Sequence, residues 1–148
     1  MNFKSIIFYL GLFIFPITGI SFLNILYSTY FDYYLSIDSY TITFFSTLII
    51  GSIFCFYGKN FKKKINFYEQ LVLILLVYLF SSIFISFPYY FSNYQITFIN
   101  SFFESFSGLT STGFSIFDNI KYLDPTLIIW RSSSQWIGGL YFLIFLII

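Results

Sequence analysis

Apolar residues run along this chain in blocks too long and too uniform to form one face of a soluble helix. No charge interrupts the sequence from Ser5 to Phe31, from Ser39 to Tyr57, or from Gln70 to Phe103. Crossing a bilayer takes roughly 20 helical residues, so each block is of spanning length. The first is too long for a signal-peptide core and ends in no small-residue cleavage site. It predicts a transmembrane helix, with Pro16 and Gly19 marking a kink of the kind that lipid tolerates when neighbouring helices assist. Asp32 and Asp38 enclose a short aromatic turn, after which the second block returns. Residues 1–58 therefore read as a two-helix transmembrane hairpin.

The third block is different. As one straight helix its 34 residues would reach about 51 Å, against a hydrocarbon core of roughly 30 Å. It has to break, and Pro88, Tyr89, Tyr90, Ser92 and Asn93 mark the place. The expected parts are an outward helix over 69–87, an interfacial loop over 88–97 and a helix over 100–109 too short to span. Ser101 and Glu104 stand in the S-x-x-E relation of a capping box, which places the start of that short helix. Gly108 and Gly113 supply breakers at its far end. Asp118, Lys121 and Asp124 then return the chain to the aqueous face it left, and Pro125 opens a last helix over 125–148. That helix stops in apolar sequence, with no closing charge, and reads as a truncation.

Composition sharpens the picture. The 148 residues are 58% hydrophobic and only 9% charged, with a mean hydropathy of +0.84, so 13 charged side chains cannot cover a soluble domain. The charges that exist give an orientation. Lys59, Lys62, Lys63 and Lys64 make the 59–68 loop cytoplasmic by the positive-inside rule, and Lys4 puts the N-terminus on the same side. A net charge of +1 offers no surface for nucleic acid, and a chain without histidine and with Cys55 alone has neither a His/Cys metal site nor a disulfide. With no nucleophile–base pair and no intramembrane carboxylate pair, an enzyme is disfavoured. The 24 Phe and 14 Tyr read as lipid-facing bulk and interfacial belts.

The candidate chemistry lies in Phe103–Ser115, FESFSGLTSTGFS. A short helix followed by a turn of small and hydroxylated residues reads as a re-entrant pore loop. Non-helical backbone at membrane depth is tolerated only where protein or a water-filled cavity satisfies it. In an ion filter, carbonyl oxygens replace the hydration shell of the ion. Gly113 supplies positive φ at no steric cost, Thr and Ser hydroxyls bond locally to hold the backbone, and the helix C-terminus favours a cation. The 110–114 segment is thus the expected filter. Glu104 has two readings, a helix cap or a carboxylate drawing cations to a pore mouth. Arg131 snorkels, pairs with Glu104 or Asp124, or acts directly on the ion path, and Ser134 with Gly138 forms a small-xxx-small packing face.

The strings FFESFSGLTSTGFS and WRSSSQWIGG resemble the first pore repeat of the TrkH/KtrB family of bacterial potassium uptake proteins, most nearly its TrkH branch. The resemblance implies an all-α integral membrane fold. Two leading helices precede one helix–pore loop–helix repeat over 69–148, one of four around a pore in the inner membrane. Carried over, Thr110, Ser111, Thr112 and Gly113 match the filter, with Ser111 and Thr112 foremost as carbonyl donors to a transported potassium ion; no other cofactor is expected. The implied partners are the lipid bilayer, the remaining repeats, a second copy of the protein and a cytoplasmic nucleotide-binding regulatory subunit. Two residues depart from the pattern. Ser111 stands for a more usual threonine, and Tyr141 stands where glycine often follows Gly138 and Gly139, which questions close packing there. The alternative reading is a truncated membrane fragment with no transport activity of its own.

Overall fold

In a computed structural model, which describes residues 3–33, 37–61 and 65–147, the chain is all-helical. Lys62, Lys63 and Lys64 of the basic cluster lie outside the described residues. Five α-helices follow in order: α1 (Phe3–Tyr30), α2 (Ile37–Gly58), α3 (Phe67–Tyr90), α4 (Phe98–Leu109) and α5 (Pro125–Ile147). Single 3-10 turns at Lys59–Phe61 and Ile120–Tyr122 precede α3 and α5. Among the described residues, α1, α2 and α3 are long and apolar enough to cross a membrane, so this is an all-α membrane protein. The 23-residue α5 is long enough but less apolar, because Arg131, Ser132, Ser133, Ser134 and Gln135 interrupt it.

One proline behaves differently from its sequence expectation. Pro16 lies inside the 28-residue α1, as expected of a single transmembrane helix that carries it. Pro88 does not end its helix, and α3 continues to Tyr90. A proline removes only the bond its own N–H would make and disturbs the residue four before it. The helix stops where Phe91 takes over the end, its N–H donating to the Phe87 carbonyl at 2.9 Å.

Helices α1 and α2 pack along one another, with Thr18 Oγ1 donating to Thr47 Oγ1 at 2.9 Å across the interface. Helix α5 runs antiparallel to α3. Gln70 Nε2, at the start of α3, donates to the Phe145 carbonyl near the end of α5 at 3.0 Å. Trp130 Nε1, early in α5, reaches the Ile85 carbonyl late in α3 at 3.0 Å. Trp130 and Tyr141 are buried and tie α5 into the core. Tyr141 packs edge-on against Phe13 and its hydroxyl donates to the Phe13 carbonyl of α1. The tyrosine is thus a peg between α5 and α1, and the close approach of α5 to another backbone falls one turn earlier, at Gly138.

Helix α4 is amphipathic with the polar side inward. Ser101, Glu104, Ser105, Ser107 and Gly108 are buried, while Ile99, Phe103 and Phe106 are exposed. In water this orientation would be unstable; against lipid it places the apolar side outward.

Candidate pore loop

Helix α4 enters beside the end of α3 and goes only part way down. The rings of Tyr90 and Phe98 lie 5.9 Å apart at the entry, and further in Ser105 Oγ donates to the Ser82 carbonyl at 2.8 Å. At its tip, Leu109, Thr110 and Ser111 share a cavity of about 320 Å³ with Tyr78, Gly138 and Phe142. Tyr78 lies 12 residues before the end of the 24-residue α3, so the tip sits about 18 Å in, halfway along a helix of about 36 Å. The chain then returns to its starting level, where the Asp124 backbone N–H donates to Tyr94 Oη at 2.8 Å. There Asp124 Oδ1 accepts from the backbone N and the hydroxyl of Thr126 at 2.8 and 2.7 Å, capping α5, and Tyr40 Oη donates to Thr126 Oγ1 at 3.0 Å.

The start of α4 corrects the sequence reading. The helix begins at Phe98 with Thr97 as N-cap, whose hydroxyl accepts from the Asn100 N–H at 3.4 Å. Ser101 and Glu104 form no capping box, because both lie one turn inside the helix with their side chains buried. A reciprocal cap bond forms instead at the start of α3, where the Asn66 N–H donates to Glu69 Oε2 at 3.1 Å.

Beyond Leu109 the backbone coils into a compact turn. The N–H groups of Thr110, Ser111 and Thr112 donate to the carbonyls of Phe106, Gly108 and Ser107 at 2.9, 3.0 and 3.1 Å. Thr110 keeps a right-handed conformation (φ −81°), whereas Ser111 and Gly113 have φ of +56° and +81°. Positive φ at a non-glycine residue is uncommon and is least tolerable for β-branched side chains. Serine at 111 is therefore an easier occupant than a threonine would be. The hydroxyls of Ser107, Thr110 and Thr112 form a cluster, with Ser107 Oγ 3.1 Å and Thr110 Oγ1 3.3 Å from Thr112 Oγ1.

The predicted residues thus stand together at the tip, and Thr110, Ser111 and Thr112 share one feature. Among the described residues, none of their carbonyl oxygens accepts a hydrogen bond. The next two carbonyls are engaged. That of Gly113 accepts from Arg131 Nη2 at 3.4 Å, and that of Phe114 accepts from Ser107 Oγ at 2.7 Å and from Arg131 Nη2 at 3.2 Å.

Behind the loop lies a buried ion pair. Arg131 Nε meets Glu104 Oε1 at 2.5 Å, with side chains 10% and 0% exposed. Glu104 also accepts from Ser115 Oγ at 3.1 Å and from the Ile116 N–H at 2.9 Å. Of the readings open in sequence, the pairing of Arg131 with Glu104 is the one present. The anchors Ser107 and Ser115 were not singled out from the sequence. Their only signal is a hydroxyl on each side of a small-residue turn, a pattern most loops share.

Ser134 and Gly138 form the packing face expected of them, and its partner is the end of α4. A Cβ on Gly108 would lie 2.7 Å from Ser134 Oγ, and one on Gly138 would lie 1.7 Å from the Leu109 carbonyl oxygen.

A helix pair enclosing a short helix and a turn at half depth belongs to an all-α membrane protein in which one helix is too short to span. No family model matches the chain, and no solved structure matches it. Curated sequences do. The chain is 32% identical to the potassium uptake protein TrkH of Salmonella typhimurium over 69% of its own length and 21% of that protein. It is 31% identical to an uncharacterized cation transporter of Methanocaldococcus jannaschii, over 69% of this chain and 23% of the other. TrkG of Escherichia coli is 28% identical over 71% of this chain and 22% of its own. Over about two thirds of its length this chain is homologous to the Trk potassium uptake proteins. It spans about a fifth of the length of these relatives.

Proposed function

We propose that this chain provides one pore repeat of a potassium uptake system, in which the Thr110–Gly113 turn forms the filter: the carbonyls of Thr110, Ser111 and Thr112 face the ion and Gly113 shapes the turn. The observation that carries this reading is the row of three unengaged carbonyls at Thr110, Ser111 and Thr112, at half depth in a membrane protein. Ser111 and Thr112 are exposed and Thr110 half-buried; at membrane depth backbone acceptors still need a partner from protein or a water-filled path, and a dehydrated cation is a partner of the right sign for carbonyl oxygen. Reversal of backbone hand at Ser111 and Gly113 favours carbonyls that point to one side, because an ordinary extended chain alternates them. The C-terminal end of α4 adds its partial negative charge at the same place.

One such turn supplies a fraction of a hydration shell. The rest comes from further loops of the same kind, and a second copy and a cytoplasmic nucleotide-binding subunit complete the assembly in this reading. The names of the relatives support potassium as the ion. By the positive-inside rule Lys4 and the lysines of the 59–68 loop support a cytoplasmic N-terminus and loop, and in that orientation α4 enters from outside.

The test is Rb⁺ uptake by cells lacking their own potassium uptake systems, with and without the chain. Gly113→Val is the informative variant, since space around an added Cβ is open but φ is +81°, a conformation hostile to a β-branched residue. Uptake should be lost at unchanged membrane abundance. Selective uptake that survives the change would refute the filter assignment.

A further inference from the structure

We infer that the Glu104–Arg131 pair decides which carbonyls of the loop are left for the ion, and that Glu104 keeps the Arg131 charge from repelling it. This rests on the pore reading above and adds two positioning residues to it.

The division of the loop is sharp. Among the described residues carbonyls 110–112 accept no hydrogen bond, while those of Gly113 and Phe114 are drawn to Arg131 Nη2. Gly113 therefore contributes its backbone hand, and the ion-facing set from this loop ends at Thr112. Every residue from Gly113 to Ile116 touches the pair, through Arg131 for the first two and through Glu104 for Ser115 and Ile116. Arginine suits the place because its planar fork can hold a carboxylate and two carbonyls together, which a lysine ammonium cannot match in geometry.

A guanidinium directly behind a cation path is electrostatically adverse unless its charge is cancelled at short range. Glu104, fully buried and 2.5 Å away, cancels it. At roughly 10 Å and an effective dielectric of about 20, an unopposed unit charge weakens cation binding roughly tenfold or more.

The experiment is concentration-dependent Rb⁺ uptake with Na⁺ competition, normalised to membrane abundance, on three variants of the full chain. Glu104→Gln keeps shape and a carbonyl acceptor but exposes the arginine charge, so KM for Rb⁺ should rise about tenfold or more. The charge-neutral double variant Glu104→Gln/Arg131→Gln should return KM towards that of the unaltered protein. Arg131→Lys keeps the charge and loses the fork, so KM should hold while discrimination against Na⁺ falls. A double variant no better than the single one would show a merely structural role and overturn the charge argument. If the single variant does not reach the membrane, the double carries the test. Na⁺ discrimination equal to that of the unaltered protein would then overturn the assignment of carbonyls. Absence of uptake by the unaltered protein would refute the pore reading and this inference with it. Normal uptake together with silent variants would refute this inference alone.

Discussion

Two adjacent glycines on α5 should respond to alanine with opposite signs. A Cβ on Gly138 would lie 1.7 Å from the Leu109 carbonyl oxygen, 2.6 Å from its carbonyl carbon and 3.1 Å from its Cα. Ordinary contact begins at 3.4 Å, so 3.4 − 1.7 leaves 1.7 Å of separation to be found. The atoms struck are backbone at the C-terminal end of α4, which cannot rotate aside as a side chain would. Helix α5 and the loop helix must part, loosening the Tyr78 hydroxyl from the Gly138 carbonyl, at 3.4 Å, and the Ser134–Gly108 contact. Overpacking of a close-packed site costs about 1–3 kcal/mol, and a clash with backbone belongs at the upper end. At about 3 kcal/mol the folded population falls roughly 100-fold against its alternatives. Gly139 is exposed, and a Cβ there meets nothing within 4 Å. Alanine at that position should be neutral or stabilising by up to about 1 kcal/mol, the helix-propensity difference. The assay is survival of the monodisperse detergent-solubilised protein after graded heating. Gly138→Ala should lower the midpoint by several degrees and Gly139→Ala should not. Equal behaviour of the two variants would refute the packing argument, and with it the view that α5 supports the loop through this contact.

The remaining predictions concern the loop and its supports. At Ser111, φ of +56° costs an L-residue roughly 1–2 kcal/mol, so Ser111→Gly should raise thermal stability and Ser111→Val should lower it. A stable valine variant would contradict the left-handed conformation. Replacing Glu104 by Gln leaves Arg131 buried and uncompensated, a loss of about 3–5 kcal/mol, whereas the neutral double variant should recover much of it in the same heating assay. Asp124→Ala removes the carboxylate that caps α5 and should cost about 1 kcal/mol, read as a lower midpoint. Trp130→Phe keeps an aromatic ring in the core but loses the Nε1 bond to Ile85, a loss of about 1 kcal/mol. Tryptophan fluorescence would then report Trp136 alone.

Much of the fold could be read from uncharged run lengths, because the bilayer imposes a length and a polarity that no tertiary contact has to supply. The two leading helices, the need for a break after Gln70 and the return through Asp118, Lys121 and Asp124 all follow from that constraint. Local rules failed where they competed with packing. Pro88 looked like a helix end, yet a helix already supported by its neighbours continues to Tyr90. Ser101 and Glu104 looked like a capping box, yet Thr97 caps the helix one turn earlier. The same S-x-x-E spacing that bridges a helix start also puts both side chains on one face, and that face is buried, with Glu104 paired to Arg131 of α5.

The loop itself divides in the same way. Small, hydroxylated residues and Gly113 after a helix too short to span are sequence facts, and they were enough to mark Thr110–Gly113 as the place of interest. The sequence by itself determined an all-α membrane protein with a helix too short to span before a small-residue turn, because hydrophobic length and backbone permissiveness are properties of the residues alone. Only the tertiary structure decided that Glu104 and Arg131, 27 positions apart, meet at 2.5 Å, and that Arg131 engages the carbonyls of Gly113 and Phe114 but not those of Thr110, Ser111 and Thr112. A buried charge takes whichever partner the packing of helices brings within reach, and spacing along the chain does not encode that distance.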